Sequence, residues 1–175
     1  MSGSLRALSS ALIASALLGG SADLARANPA PEEAARQLAI TYLHLWSAPN
    51  RVTLASASSF YGPIVTFHGR RRTLNSVLAE KRRFAKRWPD RIYHYRPQTT
   101  QVTCEPGRVR CTVLSTFEFS AGNSQRGRRS LGIGEHELVV SFSNARPVIT
   151  SEDSRVVIRG RGNMSALLRA GANGL

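Results

Sequence analysis

The sequence predicts an α+β fold in which three N-terminal helices cover one face of a curved antiparallel sheet. Apolar residues recur at helical spacing after Pro31 and again between Thr73 and Pro89, whereas from Tyr93 onward apolar and polar residues alternate as in half-buried strands. The chain has 175 residues and no internal repeat, which suits a single domain. Helices should therefore come first, and strands should follow within the same core.

The first helix is predicted from residue 31 to about residue 48. Pro31 fits a first turn, and Glu32 and Glu33 complement the positive end of the helix dipole. The apolar positions lie three and four residues apart, and they are Ala35, Leu38, Ala39, Tyr42, Leu45 and Trp46. Such a broad stripe predicts a helix that lies in a groove of the core.

A second, shorter helix is predicted with Asn50 as its N-cap and with Leu54, Ala57 and Tyr61 on its inner side. The dipeptide Gly62-Pro63 should end this helix. Apolar and polar side chains then alternate sufficiently over residues 64–71 to predict a strand.

The third helix should begin after the N-cap Thr73 and end at Pro89. Its inner face is predicted to hold Leu74, Val77, Leu78, Phe84, Ala85 and Trp88. Its outer face is predicted to hold four cations, Arg82, Arg83, Lys86 and Arg87, in a basic run that also includes Lys81 and residues 70–72. Because Glu80 and Asp90 are the only nearby acids in the sequence, the like charges should repel unless an anion binds. A solvated face and an anion-binding face both fit this pattern.

Residues 93–119 predict the central hairpin of the sheet. One face of its second strand carries Val109, Cys111, Val113, Ser115, Phe117 and Phe119, and Leu114 on the other face is the exception to the alternation. The turn Glu105-Pro106-Gly107-Arg108 lies between the strands, where Pro fixes φ and Gly accepts a positive φ.

Cys104 and Cys111 flank this turn. A four-residue loop would place them opposite each other in a non-hydrogen-bonded pair, about 4.5 Å apart between Cα atoms, which a disulfide can bridge. A two-residue loop would place them diagonally and strain the bridge, and two unrelated buried thiols are the alternative. Two Cys and four His without zinc spacing predict no metal site. We also expect no cofactor, because the sequence has no glycine-rich phosphate loop.

Three further segments complete the predicted domain, which spans residues 28–159. Residues 121–129 form a polar loop, residues 131–142 a strand, and residues 147–159 the last strand. From Gly160 onward the chain has little apolar surface, so residues 160–175 should form a flexible tail.

The N-terminus has the pattern of an export signal. Arg6 precedes the small and apolar run 7–18, and Ala25-Arg26-Ala27 resembles a cleavage site, so residues 1–27 should be removed before Asn28. A retained membrane anchor is the alternative, although spanning a bilayer needs about 20 apolar residues. We therefore expect a periplasmic or secreted protein.

The formal net charge is +13. Removing Arg6 and Arg26 from the 24 basic residues and Asp23 from the 11 acidic ones leaves the mature chain with about +12. Such an excess favours a polyanionic partner. Export argues against nucleic acid and favours anionic envelope polymers or lipid head groups; without export, nucleic acid becomes a serious option.

The order of elements resembles the nuclear transport factor 2-like superfamily over residues 31–157. The resemblance is carried by AARQLAITYLHLWS as first helix, by SSFYGPIVTFHGRRRTLNSVLAEKRRFAKRWP, and by ELVVSFSNARPVITSEDSRVV as final hairpin. This cone-shaped fold is shared by ketosteroid isomerase, SnoaL-like polyketide cyclases, scytalone dehydratase and exported bacterial proteins without an assigned activity, which the middle stretch resembles most. The resemblance implies a pocket between the helices and the concave face of the sheet, and relatives often dimerise through the outer face.

Strand parity then selects the candidate pocket residues. His136 shares a face with Leu138, Val140 and Phe142, where it could act as a base, a polar anchor or a structural residue. Glu152 and Asp153 lie on opposite faces of the last strand, so only one can face the pocket, and parity does not decide which. Aromatic surface comes from Tyr42, Trp46, Tyr61, Tyr93 and Tyr95, which either meet a ligand near the pocket mouth or pack in the core.

No Ser-His-Asp arrangement appears, and no residue matches the carboxylate base and oxyanion donor that an isomerase of this fold needs. The leading interpretation is therefore an exported, non-catalytic binding or interaction domain with a small mixed apolar pocket and a basic outer helix. A lyase or isomerase that uses His136 with Glu152 or Asp153 is the first alternative. A peripheral binder of anionic envelope components is the second.

Overall fold

The structure is a computed structural model that describes residues 30–47 and 52–160. The helices are α1 (Pro31–Leu45), α2 (Leu54–Ser58) and α3 (Leu74–Arg87). The strands are β1 (Tyr61–Phe67), β2 (Arg70–Thr73), β3 (Asp90–Tyr95), β4 (Gln101–Cys104), β5 (Arg110–Asn123), β6 (Arg128–Ser141) and β7 (Val148–Gly160). The α+β class is confirmed. The export signal, the Asn50 cap and the tail after Gly160 lie outside the described residues.

The passage from α2 into the first strands differs from the prediction. Thr53 caps α2 through a capping box, in which its hydroxyl accepts from the Ser56 backbone N–H at 3.1 Å and its own N–H donates to the Ser56 hydroxyl at 2.9 Å. The helix ends at Ser58, so the expectation that Tyr61 lies on it was wrong. Tyr61 instead begins β1, because its backbone pairs with Ile149 of β7.

Residues 64–71 are a hairpin rather than one strand. His68 and Gly69 both have positive φ, at 48° and 71°, and turn the chain so that β2 pairs back on β1. The exposed Pro63 lies within β1, between two register positions at which the pairing with β7 shifts. A bulge tolerates proline because that position does not need to donate to the ladder.

The sheet is mixed, and the prediction of an antiparallel sheet was wrong in one place. The strand order is β2-β1-β7-β6-β5-β3, and β4 also pairs with β5. All of these pairs are antiparallel except β1 with β7, which run parallel. Parallel neighbours need a long connection, and here that connection includes α3 and the other strands.

The long strands β5 and β6 form the middle of the sheet. They pair from Arg110 with Ser141 to Asn123 with Arg128, so the predicted polar loop at residues 121–129 shrinks to a tight turn that ends at Gly127, with φ of 58°. The partner strand on the other side of β5 is interrupted near Pro97, which divides it into β3 and β4.

Cys104 and Cys111 are directly opposite each other in β4 and β5, with their Cα atoms 4.0 Å apart, and their sulfurs are bonded. Residues 106–109 form a four-residue loop, because the Glu105 N–H donates to the Arg110 carbonyl at 2.9 Å. Gly107 and Arg108 both have positive φ in this loop.

The helices pack on one face of the sheet. Helix α1 contacts β3, β4 and β5, and α3 contacts β1 and β2. The core between them contains Ala39, Val77, Val113, Leu138 and Ile149, among others. Phe84 was expected on the inner face of α3, yet it is 43% exposed, because it lines an open cavity.

Two glycines in β6 let aromatic rings lie against the sheet. Phe117 is opposite Gly134, and Phe119 is opposite Gly132. A Cβ at Gly134 would overlap with the Phe117 ring, and a Cβ at Gly132 would overlap with the Ile158 carbonyl oxygen. Gly134 therefore leaves room for the Phe117 ring, whereas Gly132 leaves room first for the Ile158 carbonyl and then for the edge of the Phe119 ring.

Candidate functional site: a buried ion pair beneath an aromatic cavity

Glu152 of β7 is the centre of a buried polar cluster. Lys81 of α3 donates to its Oε1 at 2.6 Å, Tyr42 of α1 donates to the same oxygen at 2.7 Å, and Tyr61 of β1 donates to Oε2. The Lys81 ammonium also donates to the Tyr42 hydroxyl at 2.7 Å, and the two tyrosine oxygens are 3.0 Å apart. We call Glu152, Lys81, Tyr42 and Tyr61 the Glu152 cluster; its members come from four different elements.

An irregularity in β7 turns Glu152 inward. Val140 pairs with Ile149, whereas the preceding residue Val139 pairs with Ser151, so Thr150 is an extra residue in the strand. Such a bulge inverts the alternation of side chains. Ile149 and Glu152 therefore both face the core, at 0% and 3% exposure. Asp153 points to the other side and accepts from His68 Nδ1 at 2.9 Å.

Lys81 is largely buried, although Arg82, Arg83, Lys86 and Arg87 on the same helix are exposed. Its side chain is 15% exposed. The ammonium lies 4.6 Å from the ring centre of Trp46, 5.2 Å from that of Phe67 and 5.3 Å from that of Tyr42. Aromatic faces attract cations, so three rings and one carboxylate together replace the water that the ammonium loses.

The cluster holds Glu152 as a carboxylate. Burial alone would raise its pKa, but the charge and hydrogen bond of Lys81 and the two tyrosine hydroxyls outweigh burial, so the pKa lies below its usual value. Burial, followed by the charge of Glu152, raises the pKa values of Tyr42 and Tyr61 well above 10. At neutral pH the cluster is therefore one cation, one anion and two neutral phenols.

His136 lies next to this cluster on β6. It is 4% exposed, its Nε2 is 2.6 Å from the Ser115 hydroxyl, and its ring centre is 6.5 Å from that of Tyr42. Burial lowers its pKa to about 4; the charge of Glu152 opposes this and that of Lys81 adds to it. His136 is therefore neutral at pH 7.

A cavity of about 400 Å³ opens from the cluster between α1, α3 and the inner face of the sheet. Its walls are mainly aromatic and aliphatic and include Leu43, Trp46, Phe84, Trp88, Tyr93, Phe117, Phe119, Ala121 and Val156. Tyr42, Lys81, His136 and Glu152 also line it, as polar groups at one end. We call this space the main cavity and this polar end its floor.

The opposite end of the main cavity is basic. Arg87 at the end of α3 and Arg159 near the end of β7 line it, together with Ser130, whereas Ser154 pairs with His136 near the floor and Arg155 is the next residue. Arg155 is held by Glu135, which accepts from its Nε at 3.0 Å and from its Nη2 at 2.8 Å. Among residues 30–47 and 52–160, neither the Arg87 nor the Arg159 guanidinium has such an acid partner.

The structure brings five predicted pocket residues together: Tyr42, Trp46, Tyr61, His136 and Glu152. Tyr42, His136 and Glu152 lie at the floor and Trp46 in the wall, whereas Tyr61 belongs to the Glu152 cluster without lining the cavity. Lys81 was missed as a site residue because it stands in a run of surface cations; its spacing of three and four residues from Val77 and Leu78 was the signal that could have found it. Arg82, Arg83, Lys86 and Arg87 are all exposed on α3, but Arg87, which was expected on the outer face, also lines the main cavity.

Within residues 30–47 and 52–160, no three His, Cys, Asp or Glu side chains are grouped so that they could hold a metal ion. In the same part of the chain, none of the helices has the length and hydropathy required to cross a membrane.

Solved structures with this architecture include the Kfla4162 protein from Kribbella flavida, which is 12% identical, with a TM-score of 0.62 over 78% of this chain and 95% of its own. A Caulobacter vibrioides protein with a cystatin-like fold is 14% identical, with a TM-score of 0.58 over 81% and 94%. A Novosphingobium aromaticivorans protein provisionally assigned as a scytalone dehydratase is 6% identical, with a TM-score of 0.58 over 75% and 87%.

Neither a protein-family model nor a curated protein matches the chain. The structural likenesses have low sequence identity, so they show the fold and not an activity. The nuclear transport factor 2-like architecture implied by the sequence resemblance is confirmed at the level of the fold alone.

Proposed function

We propose that the protein binds a small, largely apolar organic molecule in the main cavity and does not transform it. The observation that carries the proposal is the state of the Glu152 cluster. Both carboxylate oxygens already accept hydrogen bonds, and the ammonium is bound by that carboxylate and by Tyr42. A general base needs a carboxylate that can reach the substrate proton, so this cluster supports a rigid polar floor.

One buried donor beside the main cavity lacks an acceptor in the described part of the protein. Trp46 lines the cavity and is 7% exposed, yet its indole Nε1 has no acceptor among the described residues. An unpaired buried donor costs about 1–3 kcal/mol. The Nε1 atom is itself fully buried, so a ligand oxygen would reach it only after the indole ring turned.

Native mass spectrometry of the mature protein from a periplasmic extract, compared with the same sample denatured, tests the proposal. We expect an additional mass in the native spectrum that is lost on denaturation. The variant Ala121→Phe, which fills part of the cavity from β5, should abolish this mass. If the native wild-type protein is empty and also fails to take up apolar probes, the binding function is wrong.

A lyase or isomerase that uses His136 is the second candidate. One observation favours it: His136 lines the main cavity and is neutral at pH 7, so it can accept a proton. Its low pKa makes it a weak base. Once a retained molecule is identified, conversion of that molecule by the wild-type protein but not by His136→Gln would establish catalysis and replace the binding proposal.

Export and binding of anionic envelope components form the third part of the proposal. The Cys104–Cys111 bridge supports export, because disulfides persist in oxidising compartments. Three exposed cations on α3 that do not line the cavity, Arg82, Arg83 and Lys86, support an anionic partner. N-terminal sequencing of the protein from a bacterial host should begin at Asn28; a chain that retains residues 1–27 would contradict a cleaved export signal.

A further inference from the structure

The cations at the two ends of the main cavity differ in whether an acidic side chain neutralises them. At the floor, the Lys81 ammonium is bound by Glu152 and Tyr42 and faced by the Trp46 ring. Its charge is therefore cancelled within the protein. A ligand anion placed at the floor would meet the Glu152 carboxylate without a free cation to compensate it.

At the mouth, two guanidinium groups have no such compensation. Arg87 is exposed, and its backbone carbonyl, not its side chain, accepts the hydrogen bond from Asn123 Nδ2 at 3.2 Å. Arg159 is also exposed. Arg155 is neutralised by Glu135. Among the described residues that line the cavity, Arg87 and Arg159 therefore give the mouth a net positive charge.

The depth of the cavity sets the separation of these two ends. Lys81 and Arg87 are six residues apart on α3, or about 9 Å along the helix axis at 1.5 Å per residue. The cavity wall also includes the apolar side chains of Phe84, Trp88, Phe117 and Phe119. A matching ligand has an apolar body of this length and an anionic group at one end only.

We propose that the ligand is a soluble amphipathic anion, an aromatic or aliphatic acid whose apolar body fills the main cavity and whose carboxylate or sulfonate binds Arg87 and Arg159. This inference rests on the proposed binding function and adds the class and orientation of the ligand. Guanidinium groups suit such anions because they donate two parallel hydrogen bonds.

Two fluorescent probes with nearly the same body test it. 1-Anilinonaphthalene-8-sulfonate carries the anion, and N-phenyl-1-naphthylamine lacks it. We expect both to bind the mature protein with one-to-one stoichiometry, and the sulfonate to bind about tenfold more tightly or better, as one charge-assisted contact gives. In Arg87→Gln/Arg159→Gln this preference should disappear, while the affinity for the neutral probe should stay within about twofold.

The control Arg70→Gln/Arg71→Gln removes the same charge from exposed positions on β2 that do not line the cavity. It should keep the tenfold preference. The charge-preserving variant Arg87→Lys/Arg159→Lys should keep part of it, and circular dichroism should show that all variants fold alike.

The outcomes separate the two proposals. If both probes bind the wild-type protein with equal affinity, the anion inference is overturned and the binding function survives. If the control loses the preference as fully as the mouth variant does, the effect is general charge attraction and the inference also fails. If neither probe binds, the binding function itself is wrong.

Discussion

The Lys81–Glu152 pair is the residue-scale feature on which the floor of the cavity depends. Glu152→Gln leaves the buried Lys81 ammonium without a counter-charge, so we expect the free energy of unfolding to fall by about 3–5 kcal/mol. Lys81→Met should lower the free energy of unfolding by a similar amount, because it leaves the Glu152 carboxylate without its cation. Urea unfolding at pH 7 measures both effects.

The double variant Lys81→Met/Glu152→Gln provides the control for this prediction. It removes both charges, so we expect it to be clearly more stable than the sum of the two single losses implies. Single losses that simply add would show that Lys81 and Glu152 do not stabilise each other.

His136 should make stability depend on pH. Its pKa is about 4 in the folded protein and about 6.5 when unfolded, so the unfolded chain binds more protons between these values and stability falls as the pH is lowered. His136 should contribute a loss of about 2 kcal/mol between pH 7 and pH 5. In His136→Gln, urea unfolding at both pH values should lack this part of the loss.

The exposed His94 supplies the matched control, since His94→Gln also removes one histidine. It should keep the wild-type difference between pH 7 and pH 5. A His136→Gln protein with that same difference would contradict a buried neutral histidine. At still lower pH, protonation of Glu152 adds to the loss of stability. The pKa of Glu152 is lowered in the folded protein, so its carboxylate stabilises the fold until the pH falls through that pKa.

Two residues show what the sequence could not reveal about the site. Strand parity left Glu152 and Asp153 undecided because the bulge at Thr150 inverts the alternation, and an extra residue in a strand leaves no mark in composition. Lys81 was grouped with surface cations because its three aromatic neighbours come from α1, from the residue after α1 and from β1, which are distant in sequence. By contrast, His136 was assigned to the inner face because β6 is regular around it.

At the scale of elements, β6 needs its glycines to carry the aromatic wall. We expect Gly132→Ala to lower the free energy of unfolding by at least about 2 kcal/mol, because the added Cβ overlaps with the backbone carbonyl of Ile158. Gly134→Ala should lower the free energy of unfolding by less, since the Phe117 ring can shift into the main cavity. Thermal and urea unfolding measure both.

Gly122→Ala in β5 is the matched control. The nearest atoms to its added Cβ would be the Asp90 Cβ and carbonyl oxygen, both at 3.5 Å, which is ordinary contact. Stability should change little or rise slightly, because alanine restricts the unfolded chain. Equal losses in Gly122→Ala and Gly132→Ala would show that glycine is not required at the aromatic wall in particular.

The outer side of α3 should bind anionic surfaces through its exposed cations. Arg82→Gln/Arg83→Gln/Lys86→Gln should weaken binding to vesicles containing phosphatidylglycerol by about 100-fold, at about 1 kcal/mol for each cation. The free energy of unfolding should stay within about 0.5 kcal/mol, because these side chains are exposed.

Arg126→Gln/Arg128→Gln/Arg129→Gln removes the same charge from exposed positions at the β5–β6 turn. If this control weakens vesicle binding as much as the α3 variant does, net charge and not the α3 surface is responsible.

Local elements were predictable, and distant pairings were not. The β4–β5 loop, the α3 cap at Thr73 and the face of β5 follow from residues adjacent in sequence. The parallel pairing of β1 with β7 joins segments from opposite ends of the domain. No local pattern specifies such a contact, and for that reason the sheet was expected to be antiparallel.

For the whole molecule, the disulfide closes a small loop, and chain entropy then suggests a stabilisation of about 2–3 kcal/mol. We expect Cys104→Ser/Cys111→Ser to fold with a correspondingly lower free energy of unfolding. A thiol assay on unfolded, unreduced protein should detect no free thiol. Two reactive thiols in that assay would contradict the bridge and weaken the case for export.

The parallel pairing of β1 with β7 also affects the order in which the chain can fold. Strand β1 pairs with β2 and with β7, and β7 is the last strand to be synthesised. Contacts between distant segments form slowly, since loop-closure entropy must be overcome first. During synthesis, one edge of the β1–β2 hairpin therefore stays unpaired until β7 leaves the ribosome. Until then Tyr42, Tyr61 and Lys81 also lack the Glu152 carboxylate. A ribosome-bound chain lacking β7 should be sensitive to proteases, and the native state should appear in one late step.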